Sequence, residues 1–286
     1  MVRLVSLLFI GISAASTASI FIKLCDAPAL IISAYRMVFA SLILAPFAFR
    51  QEIWKSWNQR DFRWLILPGI FLGLHFAFWI ASLQYTSVAS SVVLVSTHPI
   101  FVGIGSRIFL KEPIGITLIA GIILSIFGSV LVSFGDFSVA KGALAGDGLA
   151  LLGAITVSGY FLVGRKMRKG QGLLSYIFPV YSTSALVLIL LALLWRSPFF
   201  GYSPSTYLLF LLLALIPQLI GHTTFNWALK YIPASMVAVT ILGEPVGATI
   251  LAYFILGEGL TVWKGLGGIF ILAGILIALW KNNSNS

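Results

Sequence analysis

Glu244 is the side chain in this sequence with the clearest capacity for chemistry. It lies well inside an apolar run that begins at Ala234, and a charged carboxylate near the middle of a membrane helix costs roughly 3 kcal/mol or more. The next residue, Pro245, donates no backbone hydrogen bond and leaves the carbonyl of Ile241 free. A carboxyl beside a free carbonyl in a kinked helix could bind a proton or a substrate amine. The alternative is a structural carboxyl that is hydrogen-bonded to a neighbouring helix.

His98 has the same setting, because Pro99 follows it and leaves the carbonyl of Val95 free. A histidine inside a membrane helix serves as an interhelical hydrogen-bonding residue as readily as a working group. The similarity to Glu244 favours a functional role, and both prolines are predicted to kink their helices. The sequence leaves open whether the two side chains meet.

A stripe of polar side chains marks a further apolar segment. Gln218, His222 and Asn226 are spaced four residues apart and therefore share one face of a helix. Such a face does not look towards lipid, so it either lines a cavity or packs against another helix. We favour the cavity.

Four more residues have weaker claims on the same chemistry. His75 and Trp79 are one turn apart, and Trp79 is too deep for an interfacial belt, so it either stacks on a substrate or packs. Tyr160 is a further candidate for lining a cavity. Arg36, inside the second apolar segment, either snorkels towards headgroups or pairs with a carboxylate, and a structural role is favoured for it.

The elements that must position these residues are transmembrane helices. Of the 286 residues, 59% are hydrophobic and 9% are charged, and the mean hydropathy is +1.05, whereas a soluble domain carries about 25% charged residues. The net charge of +10 is divided into short clusters between apolar runs, which argues against nucleic acid as a partner. Cys25 is the single cysteine and excludes an intrachain disulfide and a multi-cysteine metal site.

A helix needs about 20 apolar residues to cross a bilayer, and this length predicts ten spans. They run approximately over 4–22, 30–49, 64–84, 88–108, 115–134, 146–165, 175–195, 206–229, 234–255 and 262–280. We expect the first to be retained as a helix rather than cleaved as a signal peptide. Most Lys and Arg residues fall on the side of the N-terminus, which predicts that both termini are cytoplasmic. Lys23, Lys141, Arg196 and Lys264 fall on the other side.

The two halves of the chain match each other at an offset of 146 residues. The pairs that apolar composition alone would not produce are Pro99/Pro245, Glu112/Glu258, Gly121/Gly267 and Gly128/Gly274. Five helices per half is an odd number, so the second half enters the membrane inverted. We predict an all-α integral membrane protein of two inverted five-helix repeats, 1–138 and 142–286, with a linker at Gly135–Asp147. Inverted repeats of this kind are typical of secondary transporters. The paired glycines are predicted to be helix-packing surfaces.

The sequence resembles the EamA-type ten-helix permeases of the drug/metabolite transporter (DMT) superfamily. The resemblance is carried by His98–Phe101 and Phe109–Pro113 in the first half, and by Glu244–Val246 and Leu256–Glu258 in the second. It covers essentially the whole chain and implies a multi-pass protein of the bacterial inner membrane. It leaves the substrate open, because the superfamily moves amino acids, drugs and other metabolites.

The leading functional hypothesis is a secondary transporter that exports small metabolites such as amino acids by alternating access, with protons as one coupling ion. The alternatives are a passive facilitator or channel and, less favoured, an intramembrane enzyme that acts on lipid. The sequence contains no phosphate-binding loop, metal-ligand cluster or nucleophile–base pair at recognisable spacing. We therefore predict no enzymatic activity, no cofactor and no metal, and partners limited to a small-molecule substrate, the lipid bilayer and protons. The oligomeric state stays open.

Overall fold

The computed structural model describes residues 2–57, 59–86, 88–133, 143–257 and 259–280. We number the helices α1 to α10 by span. Seven of them are continuous, and their bounds are α1 Val2–Leu24, α2 Ala29–Arg50, α3 Gln59–Ser82, α5 Ile116–Ser133, α6 Ala143–Arg168, α7 Leu173–Leu194 and α10 Val262–Trp280. A short 3₁₀ turn, Ile53–Ser56, precedes α3.

The other three helices are interrupted. Helix α4 consists of α4a, Val88–Val95, and α4b, His98–Gly105, which continues as a π-helical turn over Ser106–Leu110. Helix α9 consists of α9a, Ala234–Ile241, and α9b, Glu244–Leu256. Helix α8 runs from Pro204 to Ala228 and is π-helical over Ala214–His222. Single π turns inside helices are often found at functional sites.

The protein is an all-helical membrane protein, and the predicted ten helices are confirmed. Nine helices of the described chain are long and apolar enough to cross a membrane, whereas the fifth predicted span is a shorter apolar helix, Ile116–Val132. The predicted linker was too long at its end, because α6 already begins at Ala143. The rest of that linker, and Glu258, lie outside the described residues.

The helices pack in a pattern that is preserved when the two halves are exchanged. Helix α2 packs against α7, α5 against α10, and α4b against α9a. Helix α3 packs against α6 in the same way that α8 packs against α1, and α6 contacts α4b as α1 contacts α9b. Except for the contact of α4b with α9a, each of these contacts is preserved when the halves are exchanged, and α4b and α9a join the interrupted helices of the two halves.

Apolar side chains cover the outside of this bundle. Phe109 and Phe254 are 75% and 77% exposed, and large aliphatic residues such as Ile116, Ile123 and Ile269 also point outward. Lipid tails are as apolar as these side chains, so burial inside the protein would bring these side chains no hydrophobic free energy. The polar residues of the spans are inside, where Arg36, Gln218, Tyr160 and Asn226 are fully buried.

Candidate functional site

Arg36 and Gln218 form the central polar contact of the bundle. Arg36 Nε donates a hydrogen bond to Gln218 Oε1 over 2.9 Å, which joins α2 to the π-helical turn of α8. Arg36 is 1% exposed, so of the two alternatives for it, snorkelling towards headgroups does not hold. The arginine lies too deep in the bundle, and the Phe76 ring, 4.3 Å from its Cζ, packs against the guanidinium as a cation–π partner.

His222 and Tyr160 extend this cluster across the bundle. The His222 ring lies 5.6 Å from the Phe76 ring and 6.4 Å from the Tyr160 ring, measured between centroids. Helix α8 thus places Gln218 and His222 beside the same aromatic residue of α3. The polar stripe predicted on this helix faces the protein interior.

Asn226, the last residue of that stripe, completes a hydrogen-bonded group. Its Nδ2 donates to Tyr160 Oη over 2.5 Å and to Tyr181 Oη over 3.3 Å. Tyr181 Oη in turn lies 3.1 Å from Thr223 Oγ1. Helices α6, α7 and α8 are therefore held together by one amide and three hydroxyl groups at the centre of the bundle.

His75 and Trp79 stack on each other, with ring centroids 5.9 Å apart and planes 10° from parallel. His75 Nδ1 donates to the carbonyl of Gly153 over 2.9 Å, which fixes the ring against α6. His75 also lies in electrostatic range of His222. The pair therefore extends the cluster along α3.

His98 and Glu244 begin the second pieces of the two interrupted helices. His98 Nδ1 lies 3.0 Å from the Val95 carbonyl, the group that Pro99 leaves without a helical partner. Its Nε2 lies near Ala238 of α9a, and its ring is 6.2 Å from that of Phe161. The contact of His98 with Ala238 links α4 of the first half to α9 of the second.

Glu244 is partly buried at the start of α9b, beside Pro245. Its backbone carbonyl accepts a hydrogen bond from Ser16 Oγ of α1 over 3.1 Å. The charged group in electrostatic range of its carboxylate is Arg36, not His98. In the described part of the chain no hydrogen bond joins the two carboxylate oxygens of Glu244 to another residue.

Several buried polar atoms of this cluster have no hydrogen-bond partner within the protein, and burying such an atom costs about 1–3 kcal/mol. They are Arg36 Nη2, Trp79 Nε1, His98 Nε2, Gln218 Nε2, His222 Nδ1 and Asn226 Oδ1. The sequence analysis named all of these residues as site candidates except Arg36, for which it favoured a structural role. It did not name Phe76 or Tyr181. The lone cation in the second apolar segment was the available signal for Arg36.

A second polar group, the ionic latch of Glu112, Arg165 and Lys169, lies towards the side with most of the basic residues. Arg165 Nε donates to Glu112 Oε1 over 2.7 Å, and its other nitrogen Nη1 donates to the Leu229 carbonyl over 2.7 Å. Lys169 Nζ lies 3.7 Å from the same carboxylate oxygen. The latch therefore ties the end of α4 to α6 and to the end of α8.

Arg168 connects the latch to the central cluster. Its Nε donates to the Asn226 carbonyl over 3.0 Å, and its Nη1 to the Gln171 carbonyl. Asn226 is thus held by Arg168 through its backbone and by Tyr160 through its side chain.

Metal binding finds no support in the described residues, which contain no group of three or more His, Cys, Asp or Glu side chains that could hold an ion. An open groove of about 650 Å³ between the end of α3 and α6 is lined by apolar residues such as Leu149, Leu152 and Ile155. It includes none of the polar residues above, so the candidate site is the buried cluster.

Together the fold and the cluster define a multi-pass helical membrane protein with polar groups at the meeting point of its two halves. The chain belongs to the EamA-like transporter family, whose model matches residues 3–134 and again 144–280. This confirms the family that the sequence resembles, and it gives one family match to each half.

Two relatives and one solved structure agree with this assignment. The uncharacterized transporter YdfC of Bacillus subtilis (strain 168) is 27% identical over 254 residues, which are 87% of this chain and 81% of YdfC. An uncharacterized transporter of Archaeoglobus fulgidus is 25% identical over 265 residues, 93% of this chain and 92% of the relative. A crystal structure that covers all of both chains has a TM-score of 0.84 at 17% identity and supports the fold.

Proposed function

We propose that this transporter is a secondary active exporter of small metabolites such as amino acids, which works by alternating access with Glu244 as its proton-coupling group. The observation that carries the proposal is the pair of interrupted helices, one per half, each broken directly ahead of an ionisable residue and a proline. Interrupted helices of this kind form the substrate and ion sites of many secondary transporters near the bilayer midplane. His98–Pro99 and Glu244–Pro245 occupy these two breaks.

The repeat-exchanged packing of the helices favours two inverted repeats, with boundaries near 138 and 142. Two halves of this kind can rock against each other around a central site, which then opens to one side of the membrane at a time. The ionic latch fits the role of a closure on the side that we propose is cytoplasmic. The distribution of basic residues supports that orientation and a location in the inner membrane.

Glu244 has the properties that coupling requires. Its carboxylate is partly buried at the break of α9 and lies in electrostatic range of one cation, Arg36, which has a buried nitrogen without a partner. A carboxylate there gains or loses a proton according to which side of the membrane the site faces. The stacked His75–Trp79 pair, Tyr160, and the α8 stripe of Gln218, His222 and Asn226 line the substrate path in this proposal, and His98 occupies the related position in the other half.

The test uses purified protein in liposomes that contain a pH-sensitive dye. A panel of amino acids, aromatic metabolites, nucleosides and cationic drugs is added to wild type, to Glu244→Gln and to Glu52→Gln, a control at an exposed carboxylate. We expect at least one compound to move protons with wild type and with the control but not with Glu244→Gln. Counterflow of the same labelled compound should persist in Glu244→Gln, because substrate exchange needs no net proton movement.

Two other functions give different results in the same experiment. A passive facilitator moves compounds equally in all three proteins and without proton flux, and a channel shows conductance without counterflow. An enzyme that acts on lipid changes the lipid composition of the liposomes. Proton movement that persists in Glu244→Gln would remove the coupling role from this residue.

A further inference from the structure

Arg36 and Gln218 each have one buried side-chain nitrogen that lacks an acceptor by hydrogen-bond geometry. A guanidinium has no acceptor atom, so Gln218 must turn its oxygen Oε1 towards Arg36 Nε. This leaves the amide nitrogen Nε2 of Gln218 as a donor. By hydrogen-bond geometry neither Nε2 nor Arg36 Nη2 has a partner, and the Tyr181 hydroxyl is the polar group in range of the Gln218 side chain. Both nitrogens belong to one hydrogen-bonded pair of side chains.

The other buried arginines show what a structural arginine looks like in this protein. Arg165 binds the Glu112 carboxylate and the Leu229 carbonyl, and Arg168 binds the carbonyls of Asn226 and Gln171. Among the described residues, neither has a buried nitrogen without a partner, whereas Arg36 does. A buried charge that lacks an acceptor is strongly destabilising. A purely structural role therefore does not explain the unpartnered nitrogen of Arg36.

We propose that Arg36 and Gln218 bind the carboxylate of the transported substrate, through Arg36 Nη2 and Gln218 Nε2. This inference rests on the proposed transport function and names its substrate class, which is small organic monocarboxylates with an apolar or aromatic body. A carboxylate offers two acceptor oxygens to two adjacent donors, and charge-assisted hydrogen bonds of this kind are about twice as strong as neutral ones. The remaining lining is aromatic and suits the body of such a molecule.

The charge balance selects a monoanion over a phosphate ester. Arg36 is the one buried cation of the central cluster, and Glu244 is a carboxyl group within its electrostatic range. A dianionic phosphate would bring a second negative charge beside the same single cation and the Glu244 carboxyl group, and in a medium of low dielectric this costs more than a monoanion. The Phe76 ring packs on the guanidinium, and Trp79 and Tyr160 add ring surface beside His75 and His222.

The first test compares each carboxylic acid with its primary amide, which has the same shape and no charge. Binding to purified protein is measured by the rise in the midpoint of thermal unfolding, and transport by counterflow in liposomes. We expect wild type to prefer the acid over the amide by at least about tenfold, because an ionic hydrogen bond contributes more than about 1.4 kcal/mol. Arg36→Lys retains the charge but loses the planar guanidinium with its two parallel donors. In this variant the preference for the acid over the amide should fall at least about fivefold.

Arg168→Lys is the matched control, since it changes a buried arginine that already has acceptors within the protein. It should leave the ratio of acid to amide binding unchanged, even where overall stability falls. The loss of preference in Arg36→Lys but not in Arg168→Lys supports the proposal. An equal change in both, or an unchanged ratio in Arg36→Lys, overturns it.

Gln218→Glu gives a second test that does not depend on weakening the fold. The new carboxylate has nearly the shape of the amide and supplies Arg36 with an internal acceptor in the place of the substrate. We expect a higher midpoint of thermal unfolding and the loss of stabilisation by acids. If Gln218→Glu binds acids as wild type does, the proposal is wrong.

The outcomes separate this inference from the proposed function. Transport of amides or of cationic compounds at the rate of acids overturns the carboxylate site and leaves the transporter intact. If no acid and no amide binds or exchanges in any of the proteins, the carboxylate site fails, and if no compound of the whole panel does so, both proposals fail. Acid-selective exchange without proton movement supports the carboxylate site and removes the coupling by Glu244.

Discussion

Gly128 of α5 and Gly267 of α10 face each other where these two helices pack backbone against backbone. A Cβ atom built on Gly128 would lie 2.6 Å from the carbonyl oxygen of Gly267, and one built on Gly267 would lie 2.5 Å from that of Gly128. Gly121 and Gly274 face each other in the same way one or two turns further along, in the opposite order, so the helices are antiparallel. Between them Ser125 Oγ donates to the Ile271 carbonyl over 3.3 Å, and these two residues are repeat-related.

Gly267→Ala should destabilise the protein by about 1–3 kcal/mol, because the new methyl group meets backbone atoms that cannot move aside locally. The measurement is the midpoint of thermal unfolding in detergent. Gly265→Ala on the same helix is the control, since a Cβ there has nothing within 4 Å. Both variants gain the helix propensity of alanine, so their difference isolates the clash. Equal midpoints for the two variants would show that α5 and α10 do not pack this closely.

Glu112→Gln should open the ionic latch. The variant leaves the buried Arg165 charge without its carboxylate, and the loss of one partner of a buried pair costs about 3 kcal/mol. A cysteine placed at the buried Ser106 of α4, in a Cys25→Ala background, reports the opening by its rate of alkylation. We expect the introduced cysteine to be alkylated faster in the Glu112→Gln variant than in the protein that keeps Glu112.

The control for the latch is Glu52→Gln, which removes the carboxylate of an exposed ion pair with Lys55. Exposed pairs contribute about 0–1 kcal/mol, so this variant should leave both stability and the Ser106→Cys alkylation rate unchanged. An alkylation rate that is as slow with Glu112→Gln as with wild type would contradict the closing role of the latch.

Gly247→Ala should lower the midpoint of thermal unfolding, and a change at Ser16 should restore part of that loss. A Cβ at Gly247 would collide with the Oγ of Ser16 and lie 2.8 Å from its Cβ, and Ser16 Oγ donates to the Glu244 carbonyl. Ser16→Gly removes the collision, so the double variant should be more stable than Gly247→Ala alone. Thermal unfolding of the four proteins measures this coupling, and additive effects would show that the two residues do not touch.

Cys25 should react slowly with alkylating reagents at neutral pH. It lies just outside the first span, and burial raises the pKa of its thiol to about 11. The thiolate is the reactive species, so the rate with iodoacetamide should continue to rise above pH 9. Phe200→Cys, at an 80% exposed position in a Cys25→Ala background, should level off near the ordinary thiol pKa of about 8.5. Identical pH profiles for the two thiols would contradict the burial of Cys25.

The sequence determined by itself the helices, their approximate ends and the family. A bilayer requires every spanning backbone to satisfy its own hydrogen bonds, so a long apolar run becomes a helix whatever surrounds it. The prolines after His98 and Glu244 likewise act through the local backbone, and the breaks of α4 and α9 lie directly before them in the chain. The described part of the fifth span, Ile116–Ser133, lies within the predicted 115–134.

The tertiary structure alone decided which side chains meet. Glu244 and His98 are equivalent in sequence, yet Glu244 lies in range of Arg36 while His98 bonds its own helix and lies near Ala238. The meeting of Arg36 with Gln218 joins residues 182 positions apart and depends on how α2 and α8 are rotated and how far the π-helical turn shifts the register. Such rotations are set by packing between helices, which no local pattern of residues encodes.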